Sequence, residues 1–392
     1  MDKQNRLLIL LLTVGVFGIL NTEMGIVGIL PQIAEQFHVS VPTAGWLVSG
    51  FALVVAFAGP TMPLLFSKVN RKTVMLLALG IFTVSNVISM FATNFTILLL
   101  ARIIPAAFHP IYVSMAMTVA GTSVPPEQSA KAVSKVFIGV SAGMVLGVPV
   151  TSFIATETSF MMAMLFFAAV NAVVFIATIF VIPSMPVKET LSYGKQLGVL
   201  KKPIMIFSIL IVVFLNGAIF GFYSYLSDFL GNVTDISVRT ISLVLLFYGL
   251  ANIVGNVIAG RILTIDPRRS TFVLPFTLFA TYLLLFVFGH LSLMTTLIVA
   301  LIGVLAGVNS NVNQYLISEA GSEAPDFSNG LYLTAANLGT TFGTFFCGFF
   351  ITEMGTQYSL FGTLIFVVLG LVSIILRMYL QKGTVSNVDL KG

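Results

Sequence analysis

Long apolar runs separated by short polar breaks repeat along the whole 392-residue chain. With about 20 apolar residues needed for one membrane crossing, the pattern predicts twelve helical spans, at 7–31, 42–66, 72–93, 96–119, 132–156, 159–182, 203–230, 238–262, 270–290, 293–317, 327–351 and 357–380. The longest polar interruption, 183–203 (PSMPVKETLSYGKQLGVLKKP), leaves six spans on each side. It reads as a linker between an N-terminal half, residues 1–182, and a C-terminal half, residues 204–392. The expected fold class is therefore an all-α membrane protein, with twelve transmembrane helices in two six-helix halves.

The basic residues orient these spans. With the N-terminus inside, seventeen of the nineteen lysines and arginines fall in cytoplasmic segments, among them Lys3, Arg6, Lys68, Arg71, Lys72, Lys188, Lys195, Arg268 and Arg269. Arg239 alone falls in an outer loop, and Arg102 lies within a span. Positive charge collects on the cytoplasmic side, so both termini are expected to be cytoplasmic.

Composition narrows the function. A chain that is 57% hydrophobic and 8% charged is an integral membrane protein and not a soluble one. The net charge of +5 is explained by the loop asymmetry, so nucleic acid is not an expected partner. The single cysteine, Cys347, excludes a disulfide framework, and His38, His109 and His290 sit in three different segments, which gives no metal-ligand spacing. No cofactor is expected. The one Gly-Lys pair, Gly194-Lys195, is followed by Gln196 and has Glu189 where a phosphate-binding loop needs glycine. Two six-helix halves without a nucleotide motif point to a secondary transporter, with a site near the bilayer midplane.

Three ionisable groups lie inside spans, where charge is expensive and marks function. Leu98 to Thr118 carries Arg102 and His109, seven residues apart on one helical face, with Pro105 and Pro110 beside them. An arginine so placed costs roughly 2.5 to 3.5 kcal/mol on insertion scales and needs a partner unless it snorkels to the interface. Glu23, in ILNTEMGIVGILP, is the one acidic residue well inside a span. Counted from the outer helix ends, Glu23, Arg102 and His109 lie roughly 12, 9 and 18 Å deep, so they are expected to form one cluster. Glu23 is the expected proton carrier and Arg102 its partner; a Glu–Arg pair that never titrates is the structural alternative. Asp228, near the outer end of the seventh span, is expected to be interfacial and ranks second for proton coupling.

Uncharged polar residues outnumber these charges. Asn21, Asn171, Asn216, Tyr223, Tyr225, Asn252, Asn256, Asn309, Asn313 and Asn337 all lie in spans. Together with His109 they are the candidate substrate contacts, although each amide can equally join helices. An excess of amides over charges favours a neutral substrate. Gly143 and Gly147 in the fifth span are echoed by Gly339 and Gly343 in the eleventh, as a duplicated chain would show, and such spacing brings helices close, for packing or for gating.

Several stretches resemble the major facilitator superfamily, and within it the drug:proton antiporter family with twelve spans. NTEMGIVGILPQIAEQF is similar to the first span of the bacterial sugar-efflux and purine-efflux branches, and Arg102 matches the arginine of the fourth-span motif. GVSAGMVLGVPV, with Gly143, Gly147 and Pro149, resembles the antiporter motif of the fifth span. His109 and Tyr223-Ser224-Tyr225 resemble sugar-efflux members, while ILPQIA and NQYLI resemble purine-efflux members equally. The loop PLLFSKVNRK keeps Lys68, Arg71 and Lys72 of the family's gating loop but has Pro63, Ser67 and Asn70 where that pattern places Gly, Asp and a second Gly. The resemblance implies a monomer in a bacterial inner or plasma membrane that exports a small, mostly neutral molecule (sugar, purine or drug) in exchange for protons, by alternating access. The rivals are a facilitative uniporter or importer, and a receptor that uses the fold without transport.

Overall fold

The computed structural model describes residues 3–66, 69–186, 196–322 and 325–389, and among them there is no strand. The first span is α1 (Lys3–Gly25), a 3-10 turn at Ile26–Ile29, and α2 (Leu30–Gln36), followed by a short α3 (Val41–Ala44). Then come α4 (Trp46–Leu65), α5 (Arg71–Met90), α6 (Phe95–Ala106), α7 (His109–Thr122), α8 (Pro126–Glu157) and α9 (Phe160–Val181). The second half has α10 (Pro203–Tyr223), α11 (Leu226–Asn232), α12 (Val238–Ile265), α13 (Pro267–Phe288), α14 (Ser292–Ala320), α15 (Pro325–Met354) and α16 (Ser359–Asp389).

Among the described residues, eleven helical segments are long and apolar enough to cross a membrane, and they fall on eleven of the twelve expected spans. The remaining one, α15, has 30 residues and is long enough to cross, but Asn329, Thr334, Asn337, Thr340, Thr341 and Thr344 dilute its apolar character. Exposed side chains such as Phe57, Val173, Phe180, Phe247 and Leu293 are large and apolar, as lipid-facing positions require.

The chain divides into two compact units, Met1–Thr190 with Val238–Leu246, and Leu191–Ser237 with Phe247–Gly392. In the first, α1 is the central helix, packed on α8, α9 and α7, with Leu12, Val16, Ile19, Phe82 and Tyr112 in the core. In the second, α10 holds that place against α15 and α16.

Both central helices run against a glycine seam. A Cβ built at Gly139 would meet the Thr13 carbonyl and Phe17 N, and one at Gly339 would meet the Val213 carbonyl and Gly217 N. Gly143 lies on the Phe17 carbonyl in the same way as Gly343 lies on that of Gly217. The repeat therefore aligns Gly139 and Gly143 with Gly339 and Gly343, an offset of 200 residues, and Gly147 with Cys347. This corrects the pairing of Gly143 and Gly147 with Gly339 and Gly343 by one helical turn. GxxxG spacing recurs every four residues, so its register is ambiguous in sequence and settled by which backbone each glycine meets.

Arg239 and Arg377 also have defined settings. Arg239 forms an exposed ion pair with Glu157 (3.4 Å), and Arg377 is buried, donating to Ser208 Oγ (2.9 Å) and Glu319 Oε2 (2.6 Å). Lys188 and Lys195 lie outside the described residues. The charge asymmetry makes a direct prediction about sidedness. In a background without Cys347, an impermeant thiol reagent applied to intact cells is expected to modify a cysteine at 239 and spare one at 195; the reverse pattern would overturn the orientation.

Candidate functional site

Two of the spans that meet at Glu23 are broken beside it. The first span leaves regular helix after Gly25 and tightens into the 3-10 turn. The fourth, expected as one continuous helix, is interrupted at Ala107-Phe108, where Ala107 N and Phe108 N bond back to Ile104 O (3.3 Å) and Pro105 O (2.9 Å). The cause is local: Pro105 and Pro110 have no N–H, so two helical bonds are missing around the break. Chain breaks of this kind free backbone groups inside the membrane, and they occur where polar partners line the interior.

Arg102, His109 and Glu23 converge there. His109 Nε2 stands 3.1 Å from Glu23 Oε2, but the ring N–H is not aimed at the oxygen, so the contact is electrostatic and not an aligned hydrogen bond. Arg102 differs from the expectation of a direct pair with the Glu23 carboxylate. Its Nη2 donates to the backbone carbonyl of Glu23 (3.2 Å), and its guanidinium lies 5.4 Å from the centre of the Phe51 ring. The reason is that Glu23 is among the last residues of α1, where carbonyls lose their intrahelical donors and the helix dipole favours a cation. Arg102 thus acts as a C-terminal cap on the broken helix, with a cation–π contact on one face. Its residue exposure is 1%, and among the described residues its Nε and Nη1 have no hydrogen-bond partner. Phe51 also meets the His109 ring edge-on at 6.1 Å. Nothing in the sequence distinguished Phe51 from the other thirty-four phenylalanines.

Contrary to the interfacial position expected from sequence, Asp228 is buried, because the seventh span also breaks, after Tyr223, and α11 turns inward. Its carboxylate accepts from Asn232 Nδ2 (2.7 Å) and Thr356 Oγ1 (2.7 Å). Both oxygens are engaged, which ties α11 to the loop before α16.

The amides sort into three groups. Asn216 donates to Ala336 O (2.7 Å) and Thr340 Oγ1 (3.2 Å) of α15, and Asn337 to Leu333 O of its own helix (2.9 Å). Asn252 and Asn256 bond to each other (3.2 Å), and Asn311, which sequence reasoning passed over, continues the ladder to Asn256 at 2.6 Å. Asn21, Asn309 and Asn313 are fully buried, and among the described residues neither polar atom of any of the three amides has a partner. Tyr223 stacks on Tyr248 (4.5 Å between centres, 22° between planes), and Tyr225 is buried.

The expected gating residues have mixed placements. Gly143 and Gly147 face Leu20 and Asn21 on α1, where a Cβ at 143 would clash and one at 147 would be tight, and Pro149 lies inside α8. Lys68 lies outside the described residues. Asn70 caps α5 through Lys72 N (3.0 Å), accepts from Met185 N (3.2 Å) and donates to Ser184 Oγ (2.7 Å). Arg71 N donates to Met185 O (3.1 Å), and Lys72 Nζ to Ile179 O (2.7 Å) near the end of α9. Amide and backbone bonds therefore hold the start of α5 against the end of α9, while Ser67, where the family pattern has its carboxylate, lies outside the described residues.

Comparison with known proteins gives a consistent result. A family model described as "Major Facilitator Superfamily" matches residues 12–324 and 209–390. An uncharacterized MFS-type transporter, YtbD of Bacillus subtilis, is 31% identical over 360 residues, covering 90% of this chain and 91% of the relative. The inner membrane transport protein YdhP of Escherichia coli K12 is 28% identical, with 95% and 96% covered. A probable sugar efflux transporter of Helicobacter pylori J99 is 25% identical, with 86% of each chain covered. Among solved structures, a bacterial homolog of the human lysosomal transporter Spinster has the same fold, with a TM-score of 0.78, 16% identity and 96% and 97% covered.

Proposed function

Because this chain belongs to the major facilitator superfamily, a family of transporters and not enzymes, we propose that it exports a small, mostly neutral organic solute in exchange for protons, working by alternating access. The observation that carries the reading is the partly buried Glu23 carboxylate, its side chain 9% exposed, set against His109 at a break in two spans, with Arg102 on the same residue's carbonyl. A carboxylate in that setting can be held neutral by a proton or charged beside His109, so water access from either side changes its state. Arg102 stays as the fixed charge, and Asp228, with both oxygens already bonded, is the reserve proton site.

For the solute, Asn309 and Asn313 of the second unit have, among the described residues, unpaired donors and acceptors four residues apart on one face of α14, and Asn21 of the first unit has them on α1. Such groups suit hydroxyls or ring amides and carry no charge preference. Tyr223 and Tyr225 are further candidate contacts within the second unit, while Asn216, Asn252, Asn256 and Asn337 are occupied within or between helices. The name "probable sugar efflux transporter" carried by one relative supports a sugar as the first class to try. The bacterial relatives, one of them named an inner membrane protein, support placement there, and the charge asymmetry of the loops supports cytoplasmic termini.

The test is transport by the native protein in proteoliposomes, with radiolabelled pentoses, hexoses, purine nucleosides and nucleobases. At least one is expected to accumulate against its gradient when a proton gradient is imposed, and a protonophore is expected to abolish that accumulation. Flux indifferent to the gradient would replace this reading with facilitated diffusion.

A further inference from the structure

Thr22 stands between Asn21 and Glu23, and it is 1% exposed. Its hydroxyl accepts the side-chain amides of residues on two other helices, Asn171 Nδ2 at 3.0 Å and Asn86 Nδ2 at 3.3 Å, and donates to Gly18 O at 2.9 Å. Asn171 also donates to Phe167 O (2.9 Å) on its own helix. Asn86 and Asn171 are likewise buried. One hydroxyl thus pins α1, α5 and α9 together at the level of the residue before Glu23.

The second half of the molecule provides an internal control. The 200-residue offset of the glycine seams carries Thr22 onto Phe222 and Glu23 onto Tyr223. Phe222 has no hydrogen-bonding group and packs edge-on against Phe229 (5.4 Å) and Tyr282 (5.7 Å). Where the repeat has no carboxylate, apolar packing closes the same position. The fold therefore does not need a polar clamp there, and the half that has the clamp is the half that has Glu23.

Geometry says what the clamp does. Glu23 lies near the C-terminal end of α1, where a helix frays unless it is tied. Successive helical residues are about 100° apart, so anchoring Thr22 sets the direction in which Glu23 points. We propose that Thr22, held by Asn86 and Asn171, is a positioning residue: it fixes the rotation of the last turn of α1, so that the Glu23 carboxylate rests against His109 while its carbonyl meets Arg102. The proposal deepens the reading of Glu23 as the proton carrier and rests on it for its functional meaning.

Its test needs no substrate. The full-length protein in detergent is treated with a hydrophobic carbodiimide, and labelling of Glu23 is followed by mass spectrometry, with Glu23→Gln as the unlabelled control. Thr22→Val keeps the shape and removes the hydroxyl; freed from His109, Glu23 is expected to label about fivefold faster, the worth of roughly one hydrogen bond. Thr22→Ser is expected to restore the native rate. Asn86→Leu, which removes one donor from the clamp, is expected to accelerate labelling in the same direction, and it carries the test if Thr22→Val does not fold. Native labelling rates in folded Thr22→Val or Asn86→Leu, with only a lower melting temperature, would reduce the clamp to packing and overturn the proposal. Failure of the proton-carrier reading is seen separately, in the transport of Glu23→Gln.

Discussion

Glu23→Gln is expected to exchange solute down its gradient and to lose the ability to concentrate it. The substitution keeps the shape of the side chain and mimics the protonated carboxyl permanently, so the contact with His109 becomes neutral and no proton can be released. In the native protein, each cycle that returns about one proton inward moves one charge, and 100 mV then supplies roughly 2.3 kcal/mol, enough for about a fifty-fold gradient of a neutral solute. That factor is the expected loss. The measurement is accumulation in proteoliposomes with and without an imposed proton gradient, native against variant, with counterflow as the control for an intact binding site. Gradient-driven accumulation that survives in the variant would move the proton to Asp228 or His109, and indifference to the gradient in both proteins would favour a uniporter.

How far the sequence foretold this site depended on the kind of interaction. Span positions were legible because burial in lipid demands an uninterrupted apolar run about 20 residues long. Eleven of the twelve satisfy that demand in the structure, and α15 departs from it through its own Asn and Thr residues. The meeting of Glu23, Arg102 and His109 was legible too, since intramembrane charges are few and seek one another. Which atoms meet was not legible. It depends on where α1 ends, because only a residue at a helix terminus offers Arg102 a free carbonyl. A pattern of apolar residues runs straight through Gly25 and Ile26 without marking that end.

The same limit explains the residues that were missed. Thr22 and Asn86 are ordinary polar residues in spans until the packing of α1 with α5 and α9 brings them within hydrogen-bond distance. Asn311 belongs with Asn256 because of the helix–helix register, which GxxxG-like spacing leaves ambiguous by a turn. Arg377 reads as one more cytoplasmic cation at the end of the twelfth span, yet it is buried against Glu319 and Ser208, because α14 and α10 supply acceptors beside that end of α16. Asp228 was misplaced for the matching reason: the break after Tyr223 folds the chain inward where a straight helix would have carried it to the surface.

Arg102→Ala is expected to give a folded protein whose uphill transport falls by about tenfold or more. Its side chain caps the Glu23 carbonyl and covers Phe51, and a charge-assisted hydrogen bond of this kind is worth roughly 1.5 to 3 kcal/mol, about ten- to a hundred-fold in an equilibrium. Without it the carbonyl at the end of α1 is left unpaired and Glu23 loses the fixed cation beside it. Arg102→Lys separates the two contributions. An ammonium can reach a carbonyl and keeps the charge, but it has no planar face to lie over Phe51 and no second edge to offer an incoming acceptor. Lysine is therefore expected to recover part of the gradient-driven accumulation and to remain well below the native level. The comparison uses proteoliposomes matched for incorporated protein, with melting temperatures as the control for folding. Native accumulation in the alanine variant would show that the cap on α1 is dispensable. Full recovery with lysine would reduce the role of Arg102 to its charge alone.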